Sequence, residues 1–262
     1  MIFAAKPRLT RMVGTLAVCW AVLVHMGTGA IFGFIATRET WVSPIKPLEF
    51  LTAALVSGLA LLIVVVTATL KLSGRDVKKE MIRSLSRMLV AFIIGLLILI
   101  AVDKLTHLYS PNREAILFML SGHYSWIFWG LQIGMGAVIP LAILLNTKLN
   151  RSVRWVAIAA ASVVIGIFFE RYYLVIPGGA YPLHYYRPGE IQGVWGALGS
   201  FAFTPVEMVL SLGIACFLGL LFILGLKYLE LLPPKEPVEK VAEADKGVTG
   251  PSEGPAATSG TS

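Results

Sequence analysis

The chain has 262 residues, of which 56% are apolar and 14% charged, and its formal net charge is +7. The mean hydropathy of +0.78 excludes an ordinary soluble globular domain and is typical of an integral membrane protein. Because the basic residues concentrate between the apolar runs, the positive charge is a topology signal and gives no ground for nucleic-acid binding.

Six apolar stretches are long enough to cross a hydrocarbon core of ~30 Å, which takes about 20 helical residues. They lack the alternating ~10-residue pattern of barrel strands, so the sequence predicts an all-α integral membrane protein with a bundle of about six transmembrane helices. The first stretch is too long for the apolar region of a signal peptide, and we interpret it as a retained helix. The predicted helices are about 12–37, 48–70, 86–106, 121–146, 153–171 and 205–228.

After Leu232 the composition changes to a proline-rich run and then to a mixture of Glu, Gly, Ser, Ala and Thr. So little apolar surface cannot offset the entropy lost on ordering. Residues 1–232 are therefore predicted to form the transmembrane domain, and residues 233–262 a disordered polar tail in the cytoplasm.

Basic residues predict the orientation of the helices. They precede the first helix and crowd the second and fourth connections, so the positive-inside rule places both termini and these connections in the cytoplasm. The connections 107–120 and 172–204, which contain turn-forming and aromatic residues, are then predicted to face outward, with turns that include Pro177-Gly178-Gly179. The basic residues are Lys6, Arg8, Arg11, Lys71, Arg75, Lys78, Lys79, Arg83, Arg87, Lys148, Arg151 and Arg154.

Two carboxylates lie near the outer ends of predicted helices. At 1.5 Å per residue, Asp103 is roughly 24 Å along its helix from Arg87, and Glu170 is equally far from Arg154. A charge in hydrocarbon costs roughly 2.5–3.5 kcal/mol on insertion scales, so it persists where it meets a partner, a cavity or the interface. We interpret these carboxylates as parts of one buried polar cluster, the alternative being two helix ends that reach the headgroups.

Other polar residues fall at a similar depth. His107 follows Asp103 by four residues and shares its helix face, which lets the carboxylate orient the imidazole, whereas Lys104 is expected to point elsewhere. His25 is either a functional group or a histidine satisfied by a neighbouring helix. Glu207, near a helix start, is either part of the cluster or a complement to the helix dipole.

The sequence contains no recognisable set of ligands for a metal ion or a haem. Cys19 and Cys216 both fall inside predicted helices, which excludes a disulfide framework and a zinc or iron–sulfur spacing. Bis-histidine haem ligation needs imidazoles that face one another from different helices, and His25 alone lies well inside the predicted core. We therefore expect this chain to hold no haem and no metal.

Several stretches together resemble the C-terminal half of the NrfD/PsrC family, including its HybB-like and DsrP-like members. These are the membrane subunits of polysulfide-reductase-type complexes, and the resemblance covers about residues 10–232. The stretches are His25-Met26-Gly27-Thr28 followed by Trp41, then 53–58 (AALVSG), 122–129 (GHYSWIFW) with Pro140, Glu170-Arg171-Tyr172, and Thr204-Pro205-Val206-Glu207.

The resemblance implies a quinone-interacting anchor subunit in the cytoplasmic membrane of a prokaryote. Such subunits exchange electrons between menaquinone or ubiquinone and a ferredoxin-like iron–sulfur subunit, which serves a molybdenum, haem or hydrogenase catalytic subunit. The family usually has eight to ten helices in two bundles, and in several members the quinone head group binds in the N-terminal bundle. A second NrfD-like half on a separate chain is therefore an expected partner, besides membrane lipid.

A quinone needs an apolar slot, donors to its carbonyl oxygens and a nearby proton acceptor, which buried acids and imidazoles supply. The alternative function is a transporter or proton-conducting protein that uses the same residues as a relay, although broken helices and inverted repeats are not evident. The candidate catalytic residues are His25, Asp103, His107 and Glu170, and the candidate quinone-binding or polar-cluster residues are His123, Tyr124, Trp126, Gln132, Arg171 and Glu207.

The predicted topology can be tested with a membrane-impermeant thiol reagent on intact cells. A cysteine in place of Lys240, in the predicted cytoplasmic tail, should stay unlabelled, whereas one in place of Tyr185, in the outward connection, should react. Strong labelling at position 240 from outside would overturn the topology.

Overall fold

The computed structural model describes residues 7–74, 79–111, 113–181 and 204–228. These residues form helices and connections without any strand, and six of their helices are long and apolar enough to cross a membrane. The predicted fold class is confirmed: the chain is an all-α, multi-pass membrane protein. The predicted tail, 233–262, and the connection from 182 to 203 lie outside the described residues.

The fourth span is composite, since a π-helix leads directly into a short α-helix. The elements are α1 (Pro7–Gly33), α2 (Lys46–Leu72), α3 (Lys79–Leu108), α4 (Arg113–Ser121), the π-helix (Ile127–Val138), α5 (Ile139–Leu145), α6 (Val153–Ala180) and α7 (Pro205–Tyr228). The chain divides into two compact units, residues 1–202 and 203–262, and α7 belongs to the second.

Stripes of buried residues at intervals of three and four hold the first unit together. α2 packs against α1, α3 and α6, and α6 packs against the π-helix and α5. Because such intervals bring side chains to one face of a helix, each stripe buries a continuous seam. The stripes include 46, 49, 53, 56, 60, 63 and 67 on α2, 82, 86, 89, 93, 96, 100 and 103 on α3, and 156, 159, 163, 166, 170, 173 and 177 on α6.

Two glycines let the π-helix and α6 approach closely. A Cβ atom on Gly136 would lie 2.9 Å from the Cα atom of Gly166, so neither position has room for a side chain. At the same contact, the hydroxyl of Ser162 donates a hydrogen bond to the carbonyl oxygen of Met135. Small residues and interhelical hydrogen bonds are the usual means by which membrane helices associate, because lipid tails are as apolar as leucine.

The sixth α-helix is longer than predicted. The turn expected at Pro177-Gly178-Gly179 is wrong, since α6 continues through Pro177 to Ala180. Side chains of the α1–α2 connection satisfy carbonyl oxygens of its last turns, which otherwise lack partners. The guanidinium of Arg38 donates to Gly179 O at 3.0 Å and Tyr181 O at 2.8 Å.

The same connection supplies two further donors to this helix end. Thr40 Oγ1 donates to the carbonyl oxygen of Gly178 at 3.2 Å, and Trp41 Nε1 to that of Leu174 at 2.8 Å. The indole of Trp41 occupies the space that a Cβ atom on Gly178 would need. Burial raises the pKa of Tyr181, as do Glu114 and Glu39, so this phenol remains protonated at neutral pH.

Other boundaries also differ from the predictions, and α3 begins at Lys79 rather than near 86. α1 ends at Gly33 rather than near 37, and the Gly33 carbonyl oxygen accepts a hydrogen bond from the N–H of Ser43 at 3.0 Å, which turns the chain back toward α2. The predicted connection 107–120 contains α4. The fourth span begins at Ile127 rather than near 121, so His123 and Trp126 precede it.

Replacing Gly166 by alanine tests the helix contact. The added methyl group meets the backbone of Gly136, so we expect a loss of about 1–3 kcal/mol in the free energy of unfolding. Gly95→Ala on α3 is the matched control: no heavy atom lies within 4 Å of the added Cβ, and alanine favours the helix by about 0.5–1 kcal/mol. Equal unfolding curves for the two variants in lipid or detergent would contradict the contact.

Candidate functional site

Each of the three buried stripes carries a charged residue near the same end of the first unit. That end comprises the start of α2, the end of α3 and the end of α6. Lys46 Nζ lies 2.7 Å from Glu49 Oε2 and 2.8 Å from Asp103 Oδ2. Lys46 and Asp103 are 2% and 0% exposed, so this ion pair joins α2 to α3 away from solvent.

Lys104 also contacts Asp103. Its Nζ lies 3.1 Å from Asp103 Oδ2, so the expectation that Lys104 points elsewhere is wrong. The long lysine stem can bend back along the helix surface while its ammonium reaches a partner. We call Lys46, Glu49, Asp103 and Lys104 the charged cluster, in which two ammonium groups face two carboxylates.

His107 lies beside the charged cluster with its two ring nitrogens in different surroundings. Nδ1 is 2.8 Å from the backbone carbonyl oxygen of Asp103. Because a carbonyl oxygen only accepts, this contact requires the proton on Nδ1 and leaves Nε2 as an acceptor in the neutral ring. Nε2 is buried and has no hydrogen-bond partner in the described part of the chain.

A cavity of about 280 Å³ adjoins His107. It lies between the α1–α2 connection, the end of α3 and α4, and its walls are mostly small or apolar with two hydroxyl groups. The lining residues are Ala36, Glu39, Val42, Thr106, His107, Ser110, Ala115 and Ile116. A largely apolar space therefore lies next to the histidine of the charged end.

Glu170 and Arg171 lie at the same end of the unit, on α6. Glu170 is 5% exposed, and its Oε1 atom is 3.8 Å from Arg171 Nη1. The guanidinium carbon of Arg171 lies 3.7 Å from the centre of the Phe50 ring, which stabilises the cation over an aromatic face. Lys46 and Lys104 are close enough to Glu170 to interact with it electrostatically.

Other candidate residues lie apart from the charged cluster. His25 is exposed on α1, and its Nδ1 atom is 2.7 Å from the carbonyl oxygen of Ala21 in the same helix. His123 and Trp126 lie in the connection before the π-helix, and the rings of His123 and Tyr124 are 5.3 Å apart. The structure therefore does not bring these residues together with Asp103 and His107 through any described contact.

Gln132 and Glu207 occupy different settings. Gln132 is buried on the π-helix, and its Oε1 atom has no hydrogen-bond partner among the described residues. Glu207 Oε2 accepts a hydrogen bond from the backbone N–H of Thr204 at 3.3 Å. In a capping box, the glutamate three residues after the N-cap residue makes this contact. This geometry favours the interpretation of Glu207 as a complement to its helix start.

Sequence reasoning missed Lys46 and Glu49. Lys46 precedes the predicted start of the second helix at 48, and Glu49 falls in its first turn, so neither is expected inside the bundle. A signal is nevertheless present, since positions 46 and 49 continue the spacing of Ala53, Val56 and Ala60 along the buried stripe. Extending an apolar stripe into its polar ends places both residues inside the bundle.

The sequence pattern of the family described as "Polysulphide reductase, NrfD" matches residues 1–182. The chain belongs to the NrfD family. The family predicted from the short sequence stretches is thereby confirmed. The narrower likeness to the C-terminal half of its members remains a prediction.

Two relatives of this NrfD chain are membrane or complex subunits by name. The Hdr-like menaquinol oxidoreductase integral membrane subunit of Archaeoglobus fulgidus is 33% identical over 247 residues, which cover 92% of this chain and 62% of that protein. A selenate reductase subunit of Mesobacillus selenatarsenatis is 37% identical over 178 residues, covering 66% of this chain and 40% of that protein. The chain thus spans less than two-thirds of each.

Replacing Lys46 by methionine tests the charged cluster. Removal of one partner from a buried ion pair leaves uncompensated charge, which costs about 3–5 kcal/mol in the free energy of unfolding. The control is Lys71→Met, at an exposed position in the last turn of α2, which should change the free energy of unfolding little. Lys46→Met/Glu49→Gln should recover part of the loss, because it removes one charge of each sign. A Lys46→Met protein as stable as Lys71→Met would refute the pair.

Proposed function

We propose that this chain is a quinone-interacting, membrane-anchoring subunit of a respiratory oxidoreductase complex in the cytoplasmic membrane of a prokaryote. Membership of the NrfD family supports this function, and so do the names of its relatives, one a menaquinol oxidoreductase membrane subunit and one a subunit of selenate reductase. The same family supports an oxidoreductase subunit over the alternative of a transporter.

The observation that carries the proposal is that the cavity of about 280 Å³ is lined by His107, whose buried Nε2 atom has no hydrogen-bond partner among the described residues. This volume is close to the lower end of the range of small-molecule pockets, ~300–1,000 Å³. The cavity is therefore of a size for a quinone head group alone, with the quinone tail extending into the membrane. Ala36, Val42 and Ile116 supply apolar walls. Ser110 supplies a hydroxyl group for a carbonyl oxygen of the head group, whereas the Thr106 hydroxyl donates to the carbonyl oxygen of Val102 at 2.8 Å.

His107 then acts on the proton that a quinol hydroxyl loses on oxidation. The neutral ring accepts this proton at Nε2 and becomes an imidazolium, which in the reverse direction returns it. Asp103 Oδ1 lies 3.8 Å from His107 Nδ1 and has no hydrogen-bond partner in the described chain. Since Lys46 and Lys104 occupy Oδ2, the second carboxylate oxygen is left to stabilise the imidazolium.

Glu170 and Arg171 have a supporting role in this proposal. They lie at the same end of the unit, and Glu170 interacts electrostatically with Lys46 and Lys104. A charge change at the cluster would therefore alter the electrostatic potential at Glu170. Five other candidate residues do not line this cavity and would not contact a quinone head group bound there: His25, His123, Tyr124, Trp126 and Gln132.

The electrons belong to other subunits in this proposal. A ferredoxin-like iron–sulfur subunit would carry them to or from a molybdenum, haem or hydrogenase catalytic subunit, and this chain would hold no haem or metal. The name of the Archaeoglobus relative favours menaquinone over ubiquinone. Because the chain spans 62% and 40% of the two relatives, a second NrfD-like half is a further proposed partner.

His107→Asn tests the proposed proton acceptor. The shorter amide can keep a donor near the Asp103 carbonyl oxygen while removing the imidazole Nε2, so quinol-coupled turnover of the native complex should fall about 100-fold or more. Assembly of the complex, followed by co-purification of its iron–sulfur subunit, should not change. His123→Asn, at a histidine outside the cavity, is the matched control.

Two outcomes would contradict the proposal. Wild-type turnover in an assembled His107→Asn complex would move the quinone chemistry out of this cavity. Purification of the native chain without any iron–sulfur partner would contradict the oxidoreductase function itself and would favour the alternative function of a transporter.

A further inference from the structure

A second, much smaller cavity lies inside the helix bundle. Its volume is about 20 Å³, and it is lined by residues of α2, α3, the π-helix and α6. The walls come from apolar side chains such as Val56, Leu96 and Ile100, with two exceptions, Gln132 and Glu170. None of its lining residues lines the cavity beside His107.

Both polar residues present an unsatisfied oxygen. Gln132 is 7% and Glu170 5% exposed. Gln132 Oε1 and Glu170 Oε2 have no hydrogen-bond partner in the described part of the protein. Leaving such an atom buried and unpaired costs about 1–3 kcal/mol, and more for a charged group. Since most buried polar atoms in native proteins are paired, two residues with such oxygens that line one cavity indicate a shared partner.

We propose that this cavity binds one water molecule, which donates one hydrogen bond to Gln132 Oε1 and the other to Glu170 Oε2. A single water needs at least about 10–15 Å³ of such volume, so the cavity has room for one. The two O–H donors of water match the two acceptor oxygens. A metal cation is a poorer fit, because hard cations take about six or more oxygen ligands.

The local backbone explains why the cavity exists. The π-helix has a wider turn than an α-helix and is frequent at functional sites, and it places Gln132 toward the bundle interior. Gly136 and Gly166 line the same cavity and bring the two backbones together without filling the space beside them. The polar pair is thus enclosed by helix packing that leaves room only for a small molecule.

The water extends the polar region of the bundle inward from the charged end. Arg171 lies near Oε1 of Glu170, so Oε2 is the oxygen left for a partner in the cavity. Through this oxygen, the water gives Glu170 a hydrogen-bonded neighbour on the apolar side. The site itself rests on these contacts and does not depend on the proposed quinone chemistry.

Radiolytic hydroxyl labelling of the native complex can detect this water, because a brief X-ray pulse converts a bound water into a radical that oxidises adjacent side chains. In the wild type we expect oxidation of Leu96 and Ile100, which are buried cavity residues. Ile82 and Val156, which are also buried but lie outside the cavity, should stay unmodified. Gln132→Leu should abolish the labelling of Leu96 and Ile100, because one acceptor is lost.

Ala137→Val supplies a second variant that keeps both polar residues. The added methyl groups occupy space in a cavity that Ala137 lines, so labelling should again be lost. A wild-type complex in which Leu96 and Ile100 are as unreactive as Ile82 would overturn the proposal. Unchanged labelling in folded Gln132→Leu or Ala137→Val would do so as well, because the radicals would then come from another source.

Discussion

The buried ion pair between Lys46 and Asp103 is the constraint on which the rest of the first unit depends. The 2.8 Å contact joins the first residue of α2 to the last turns of α3 at positions that exclude solvent. Such a pair contributes little net stability, because desolvation opposes the Coulomb attraction, but loss of one partner is costly. It therefore acts mainly as a restraint on register: α2 and α3 pack only where the charges meet. Since Asp103 also presents its carbonyl oxygen to His107 Nδ1, the same restraint orients the imidazole.

The connection between α1 and α2 links this charged end to α6. Ala36, Glu39 and Val42 line the cavity beside His107, whereas Arg38, Thr40 and Trp41 donate to carbonyl oxygens near the end of α6. Interleaved residues of one short segment thus form a cavity wall and a helix cap. The cationic Arg38 is placed where the helix dipole is negative, which adds to the stabilisation. Any movement of this segment would change the cavity and the end of α6 together.

Within the proposed function, the chain handles protons and position while its partners carry electrons. The residues that suit proton transfer are imidazole and carboxylate groups at one end of the unit, and each is held by a named contact. Both oxygens of Asp103 and both nitrogens of His107 have distinct surroundings. Such asymmetry is what a directional proton acceptor requires, because the acceptor atom must be free while its neighbour is fixed.

The sequence by itself determined the class, the six spans, the family and the end of the bundle at which Asp103 and Glu170 lie, because hydropathy and helical rise are properties of each stretch alone. It could not determine which helices touch or how each is rotated. For that reason the sequence did not reveal Lys46 and Glu49 as buried, and it gave the wrong direction for Lys104. It also predicted a turn at Pro177, although Arg38 and Thr40 from a distant segment cap that helix end. The shared cavity of Gln132 and Glu170 likewise arises only from the close packing of the π-helix on α6. A charged or unpaired atom acquires its partner through contacts between helices, and those contacts exist only in the tertiary structure.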